Sequence, residues 1–340
     1  MKFLNRKIPT PNSPSVIIHI YYMMISFTFC YVYYHKFITK ADFFGIQSSG
    51  GIYAVLNFEA VKPIQFRILI PYIFSAFKSV LFFVPDKAVF FILTIVLCYF
   101  VLLVFYFLLN EYFQSKAHNC WLSPIIIYPM MWNFVIANGQ FFYMDLSVLL
   151  VIVCGFYFIV KEKNNWLLVL FLLGVSNHPS VGYLVIAFLL FNIRRLFSFK
   201  IILYAVLMCI IYLGYYMLMD SVFPTAQGYF VIYNLPRNLS LLSLLPPHII
   251  VRDLVFTFGG LHFFILIFLF SGQWKRFKSP MLLINLTIVP YIISVLINFS
   301  VEELRNYIAI IPFIVIVALM FLSTFENSFL KPVDKSKSKI

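Results

Sequence analysis

Long apolar runs without a charged side chain are the feature that most constrains the fold of this chain. Residues 88–110 read AVFFILTIVLCYFVLLVFYFLLN, with no Asp, Glu, Lys or Arg. A helix needs about 20 such residues to cross the hydrocarbon core of a bilayer. Similar runs recur, and only 11% of the 340 residues are charged, against about 25% in soluble proteins. The sequence therefore predicts an all-α membrane protein and excludes a soluble enzyme, a disordered protein and a disulfide scaffold.

Ten apolar segments have the composition of membrane spans. A further apolar stretch, 67–84, contains Arg67, Pro71 and Lys78 and is followed by Pro85, so we expect an interfacial helix after the first span rather than a crossing. We predict one polytopic transmembrane helical bundle over 1–330 and a basic cytoplasmic tail over 331–340. The predicted spans are 15–35, 88–110, 123–136, 143–161, 165–176, 180–194, 199–219, 254–271, 279–299 and 306–325.

The distribution of basic residues predicts the orientation of the spans. Cytoplasmic loops carry an excess of Lys and Arg, and most of the 25 basic residues fall on the cytoplasmic side when both termini are placed there. The two long loops, 36–87 and 220–253, then lie on the outer face. The net charge of +13 is explained by this topology and by anionic lipid, not by nucleic acid. We expect a multi-pass protein of the bacterial inner (cytoplasmic) membrane.

The first external loop carries the most informative polar residues, which are Asp42, Glu59 and Arg67. A carboxylate at the membrane surface can act as a general base toward an acceptor hydroxyl or hold a divalent cation beside a phosphate. An arginine there suits bidentate binding of phosphate. The alternative is that both acids are solvated loop residues and that Arg67 is an interfacial anchor.

Further polar positions lie at the predicted outer ends of spans. Asp145 begins the span 143–161, where it either faces protein or a wet cavity, or is a first-turn acid that favours the helix dipole. His178 lies in a turn between two short spans, where a lone histidine is more often structural than a ligand. Glu303 and Arg305 precede the last span, where Arg305 pairs with a neighbouring acid or with a substrate phosphate.

Four stretches, taken in order, resemble motifs of one family. Segment 63–71 (PIQFRILIP) resembles the PFQYRVLVP-like segment of bacterial membrane proteins related to GT-C glycosyltransferases, and 143–146 (YMDL) resembles their tyrosine–aspartate step. Segment 176–180 (SNHPS) lies where they carry an Asn-Arg/Lys-Glu-Thr segment, but it lacks the charged pair. Segment 303–307 (ELRNY) resembles their Glu-Leu-Arg motif before the last span. The resemblance covers about residues 15–325.

The resemblance implies a GT-C-like bundle that transfers a sugar from a polyprenyl-phosphate donor to an envelope glycan or lipid acceptor on the outer face. It implies a catalytic acid in the first external loop, either Glu59 or Asp42, and Glu59 is preferred because it lies just before the PIQFRILIP segment, where members of that family often carry an acid. Arg67 and Arg305 would bind the donor phosphate, and Asp145 would orient the site or hold a metal. The cofactor stays open, with a divalent cation as the candidate. The remaining predicted substrate-binding residues are Tyr143, His178 and Glu303.

Three other functions remain open on the sequence. A lipid-linked-glycan flippase or another transporter would carry charges deep within its spans and show internal symmetry, and neither is evident in the sequence. A polysaccharide polymerase would place external arginines in two large outer loops, and Arg237 and Arg252 in the loop 220–253 keep that function open. The last alternative is a non-catalytic membrane protein.

Overall fold

The computed structural model describes residues 15–38, 51–62, 64–136, 143–224, 226, 234–244, 246–248, 257–272, 288–298 and 304–325. Within these ranges every regular element is helical, which confirms the all-α prediction. The α-helices are α1 (Val16–Tyr33), α2 (Ile52–Leu56), α3 (Leu69–Val80), α4 (Asp86–Tyr112), α5 (Lys116–Leu122), α6 (Ile127–Met130), α7 (Asp145–Val160), α8 (Asn164–Val175), α9 (Tyr183–Phe191), α10 (Phe199–Val222), α11 (Leu235–Leu244), α12 (His262–Phe270), α13 (Ile288–Asn298) and α14 (Ile311–Ser323).

Short 3₁₀ and π turns extend or join these helices. The π turns are Tyr34–Ile38 and Met131–Ile136. The 3₁₀ turns are Ile64–Phe66, Ser123–Ile126, Pro179–Gly182, Ile193–Arg195, Thr257–Gly260 and Leu304–Ile310.

Four helices in the described ranges are long and apolar enough to cross a membrane. They are Val16–Lys36, Asp86–Tyr112, Phe199–Val222 and Asn306–Ser323. Five shorter apolar helices accompany them, and a 12-residue helix such as α3 or α8 rises only about 18 Å, less than the hydrocarbon thickness of about 30 Å. The long apolar helices indicate a membrane protein. The shorter ones are Leu69–Val80, Asp145–Val160, Asn164–Val175, Pro179–Phe191 and Ile288–Asn298.

Helix α7 lies at the centre of the bundle. It packs against α4, α8, α9 and the turn Leu304–Ile310. Most of its side chains are buried, from Asp145 to Val160. The close approach of its neighbours depends on small residues, because a β-carbon added at Gly155 would lie 2.6 Å from the Leu184 side chain. The N-terminus of α7 is therefore enclosed by several elements, which makes it the natural place for a buried site.

Helix α10 lies at the periphery, packed against α8 and α9. Only 22% of its most apolar stretch is buried, and its outer face exposes Ile210, Leu213 and Met217. A continuous apolar face of this kind is unusual on a protein surrounded by water. In a bilayer it is the expected lipid-facing surface.

The segment 123–136 departs from the single short span that the sequence predicts. It consists of a 3₁₀ turn, the short α6 and a π turn. Pro124 and Pro129 lack the backbone N–H that a continuous helix needs, which explains the breaks. The segment is attached to the turn Thr257–Gly260 by the Tyr128 hydroxyl, which donates to the Gly259 carbonyl at 2.9 Å. Gly259 has φ +63°, and an added β-carbon would lie 2.2 Å from the Tyr128 ring, so glycine is required there.

The space around two glycines, Gly174 on α8 and Gly214 on α10, predicts different effects of their replacement by alanine. A β-carbon at Gly174 would lie 2.6 Å from Val151 Cγ1, whereas nothing lies within 4 Å of one at Gly214. We expect Gly174→Ala to lower the free energy of unfolding by about 1–3 kcal/mol through overpacking. Gly214→Ala is the control, and it should be neutral or slightly stabilising because alanine favours the helix. Melting temperatures of the two variants in detergent measure the difference, and equal values would contradict this packing.

Candidate functional site

Five buried polar residues lie on the segments that meet where the stretch before α3, the start of α7 and the turn after α8 come into contact. They are Arg67, Tyr143, Asp145, Ser147 and Asn177, each no more than 8% exposed. We call this group the polar cluster. Three of the five, Arg67, Tyr143 and Asp145, are site residues that the sequence predicts from two separate motifs. The fold brings these two motifs to one place.

Direct contacts join the segments that carry the cluster. The Leu69 backbone N–H donates to the Ser176 carbonyl at 3.2 Å, which fixes the start of α3 against the turn after α8. Arg67 Nη1 lies 3.9 Å from Sδ of Met144, the residue just before α7. Arg67 therefore lies between the start of α7 and the segment that carries Asn177.

Helix α10 closes the cluster on another side. The Tyr215 hydroxyl donates to the Phe66 carbonyl at 2.7 Å, and the Tyr216 hydroxyl donates to the Val175 carbonyl at 3.3 Å. The Arg67 charge lies within electrostatic range of the hydroxyls of both Tyr143 and Tyr216. The cation is therefore surrounded by polar groups at the end of otherwise apolar helices.

Asp145 is the first residue of α7 and is 4% exposed. Its carboxylate lies within electrostatic range of the Tyr33 hydroxyl on α1 and the Tyr291 hydroxyl on α13. A buried first-turn acid favours the helix dipole, and it is also placed to orient tyrosine hydroxyls. Both functions that the sequence leaves open for Asp145 are compatible with this position.

Asn177 and Ser147 are cluster members that the sequence analysis does not single out. Ser147 Oγ donates to Asn177 Oδ1 at 3.0 Å and to the Met144 carbonyl at 2.6 Å, so its hydrogen is shared between two acceptors. Asn177 Nδ2 and the Tyr143 hydroxyl are buried without a hydrogen-bond partner in the part of the chain that the structure describes. In the sequence, only the position of Asn177 in the SNHPS turn points to it, and His178 is the more obvious candidate in that turn.

His178, predicted to bind substrate, has a local structural role in this arrangement. Its Nδ1 accepts from the Ser180 backbone N–H at 3.1 Å and lies 2.7 Å from the Ser180 hydroxyl. These contacts cap the 3₁₀ turn Pro179–Gly182. The side chain is 8% exposed. A contact with substrate stays a prediction.

Glu59, the preferred catalytic acid, is exposed on the segment after α2. The loop that carries it is held in place from two sides. Gln65, which is fully buried, accepts from the Ala60 backbone N–H at 2.9 Å and donates to the Val55 carbonyl at 3.0 Å. Lys62 pairs with Asp220 at the end of α10, with 2.6 Å between Nζ and Oδ1. The carboxylate is therefore accessible on a loop with fixed attachments.

Of the remaining predicted site residues, the structure describes only the backbone of Arg305. Asp42 and Glu303 lie outside the described residues. The backbone of Arg305 lies in the turn Leu304–Ile310, which packs against α7. In the described part of the chain there is no group of three His, Cys, Asp or Glu side chains that could hold a metal ion.

A second polar group lies near the start of α4, outside the polar cluster. The Tyr53 hydroxyl donates to Asp86 Oδ2 at 2.8 Å, and Lys78 Nζ lies 2.9 Å from Asp86 Oδ1. Burial and the Asp86 carboxylate raise the pKa of Tyr53 to about 12. The group joins α2, α3 and α4 and acts as a structural connection.

The polar cluster combines one cation, a carboxylate and several hydrogen-bond donors at the end of apolar helices. Such a set can bind an anionic headgroup while an apolar tail remains among the helices. No family model matches the chain, and no curated protein or solved structure matches it. The functional assignment therefore rests on this geometry and on the sequence motifs.

Proposed function

We propose that the chain is a membrane glycosyltransferase that moves a sugar from a polyprenyl-phosphate donor to an envelope glycan or lipid acceptor. The proposed fold is GT-C-like, with about ten spans in the bacterial inner membrane and both termini in the cytoplasm. In this orientation the polar cluster lies on the outer side and α3 lies in the outer interface. The donor phosphate, the acceptor and the bilayer are then the partners of the chain.

The observation that carries the proposal is the burial of Arg67 among the ends of α7, α8 and α10. A guanidinium offers five N–H donors in a planar fork that matches a phosphate group. An amphiphilic donor needs its phosphate at such a polar end and its isoprenoid chain along apolar helix surface. Helix α10 supports this match, because Tyr215 and Tyr216 attach it to the segments that carry the cluster, while its other face exposes apolar side chains.

In the proposed reaction the predicted site residues act on the acceptor and on the leaving phosphate. Glu59 accepts the proton of the acceptor hydroxyl, whose oxygen forms a bond to the anomeric carbon of the sugar. The bond between that carbon and the phosphate oxygen breaks, and the polyprenyl phosphate leaves with the electron pair. Arg67 and Arg305 stabilise the charge of the leaving phosphate, and Asp145 orients the site or holds a metal.

The test is complementation of a deletion strain, followed by mass analysis of its surface glycan and lipid-linked sugars. Wild type should restore one sugar that the deletion strain lacks. We expect Glu59→Gln to fail, because loss of a general base costs about 10²–10⁴-fold in rate. Arg195→Gln is the control, since Arg195 forms an exposed pair with Glu162 at 2.8 Å. Glu162 follows the C-terminal end of α7, whereas the cluster lies at its N-terminal end, so this variant should complement fully.

Other outcomes separate the remaining functions. Full complementation by Glu59→Gln would remove Glu59 from catalysis, and Asp42→Asn would then be tested in the same way. A complete lipid-linked unit that accumulates on the inner leaflet of the deletion strain would replace the transferase by a flippase. A complete unit that reaches the outer leaflet but is not lengthened would indicate a polymerase. An unchanged glycan would contradict all three.

A further inference from the structure

We infer that Tyr143 and Asn177 complete a three-donor site with Arg67 that holds the phosphate of a lipid-linked ligand. This inference rests on the proposed function. It adds Asn177 as a ligand-binding side chain, gives the predicted substrate-binding residue Tyr143 a specific partner atom, and states the direction of both hydrogen bonds. The ligand chemistry is an oxygen-rich anion attached to an isoprenoid chain. Tyr143 and Asn177 would donate to phosphate oxygens that Arg67 neutralises.

The first supporting observation is that both side chains are buried and that each has a polar atom without a hydrogen-bond partner among the described residues. Asn177 is 0% and Tyr143 is 1% exposed. Neither Asn177 Nδ2 nor the Tyr143 hydroxyl has a hydrogen-bond partner among the described residues. Buried polar groups in native proteins are nearly always paired, and leaving one unpaired costs the full desolvation of that group. Two such groups in one cluster indicate a partner that binds there.

The second observation is that the two groups belong to one place in the fold. Ser147 Oγ on the first turn of α7 lies 3.0 Å from Asn177 Oδ1, and the Tyr143 hydroxyl just before α7 lies within electrostatic range of the Arg67 guanidinium. Arg67 Nη1 lies 3.9 Å from Met144 Sδ. The hydrogen bond from the Leu69 N–H to the Ser176 carbonyl, 3.2 Å long, keeps the Asn177 backbone beside the segment of Arg67.

The third observation is the chemistry of the groups. The Ser147 contact occupies Asn177 Oδ1, so the amide offers its N–H₂ group, which only donates. A tyrosine hydroxyl has a pKa near 10 and is protonated at neutral pH, so it also donates. Two donors beside a guanidinium select an acceptor-only, negatively charged group. A phosphate monoester fits this description, whereas a neutral alcohol does not.

The test measures binding of farnesyl phosphate, farnesol and inorganic phosphate to the purified full-length chain in lipid nanodiscs by calorimetry. Wild type should bind farnesyl phosphate at least about tenfold more tightly than farnesol or inorganic phosphate. We expect Tyr143→Phe and Asn177→Leu each to weaken farnesyl phosphate about tenfold, because each removes a hydrogen bond to a charged group. Binding of farnesol should not change.

Asn177→Asp tests the direction of the hydrogen bond. The aspartate keeps an acceptor for Ser147 but replaces the donor by a negative charge, so binding of farnesyl phosphate should fall by more than about tenfold. Ser26→Ala is the matched control, because Ser26 Oγ on α1 is also buried without a partner among the described residues, and it should bind like wild type. Melting temperatures at or above that of wild type for Tyr143→Phe would show that the fold is retained, since an unpaired hydroxyl is removed.

Each result has a separate meaning. Wild-type-like binding of farnesyl phosphate by Tyr143→Phe, Asn177→Leu and Asn177→Asp overturns the inference and leaves the proposed function standing. Equal binding of farnesyl phosphate and farnesol by wild type overturns the proposed donor together with the inference. Binding of inorganic phosphate as tightly as farnesyl phosphate would assign the site to free phosphate and also overturn it.

Discussion

Replacing Arg67 by methionine is expected to lower the rate of sugar transfer by about 10²–10³-fold while the protein remains folded. Loss of one group that stabilises charge in the transition state has an effect of this size. Methionine has a similar length and no charge, so it removes the cation with little change in packed volume. Removing one member of a buried charged group costs about 3–5 kcal/mol, so the turnover is compared per folded protein. The measurement is the turnover of the purified enzyme with its polyprenyl-phosphate sugar, together with the melting temperature.

Arg67→Lys is the control that separates charge from shape. Lysine keeps the positive charge but not the planar fork that binds two phosphate oxygens at once. We expect an intermediate loss of about tenfold, mostly in KM, because the phosphate is still attracted but less well oriented. A methionine variant with full turnover would show that Arg67 has only a structural role, as the interfacial-anchor alternative holds.

Apolar runs bounded by charges predict several helices well. The sequence predicts spans at 143–161 and 165–176, and the structure has α7 at Asp145–Val160 and α8 at Asn164–Val175. These bounds are predictable because charged residues at Lys161, Glu162 and Lys163 separate two uncharged runs. The break within 123–136 is less visible, because its residues are almost all apolar and only two prolines indicate it.

The sequence does not predict which helices lie inside the bundle. Phe199–Val222 and Asn306–Ser323 have similar hydropathies, 2.2 and 2.4, yet 22% of the first and 83% of the second is buried. In a bilayer both the lipid-facing and the protein-facing side chains are apolar, so hydropathy does not distinguish the two surfaces. Packing against neighbours decides the difference, and that information is spread over the whole chain.

The candidate site likewise contains some residues that the sequence identifies and others that only the packing identifies. Arg67, Tyr143 and Asp145 are predictable because charged and hydroxyl groups at the ends of apolar spans stand out. Asn177 and Ser147 are not, since a neutral polar residue gains its role only from the side chains that surround it. The contact between Ser147 and Asn177 joins residues on different helical segments. Only the packing of α7 against α8 brings them together.

Asp145→Asn is expected to lower the rate of sugar transfer by about 10–100-fold with little change in melting temperature. The amide keeps the shape and part of the hydrogen bonding, but it lacks the charge that acts on the Tyr33 and Tyr291 hydroxyls. Misplaced groups around a site cost rate without unfolding the protein. The alternative, a first-turn acid that only favours the helix dipole, predicts a loss of about 0.3–1 kcal/mol in stability and full activity.

Asp86→Asn is the matched control for this prediction, because Asp86 is also the first residue of a helix, α4. Its carboxylate pairs with Lys78 and Tyr53 at 2.9 and 2.8 Å, away from the polar cluster, so its loss should lower stability and leave the rate unchanged. A titration with Mg²⁺ then separates the two roles of Asp145. If Asp145 holds a cation, chelation stops the wild-type reaction and excess Mg²⁺ partly restores Asp145→Asn, whereas an orienting carboxylate gives neither effect.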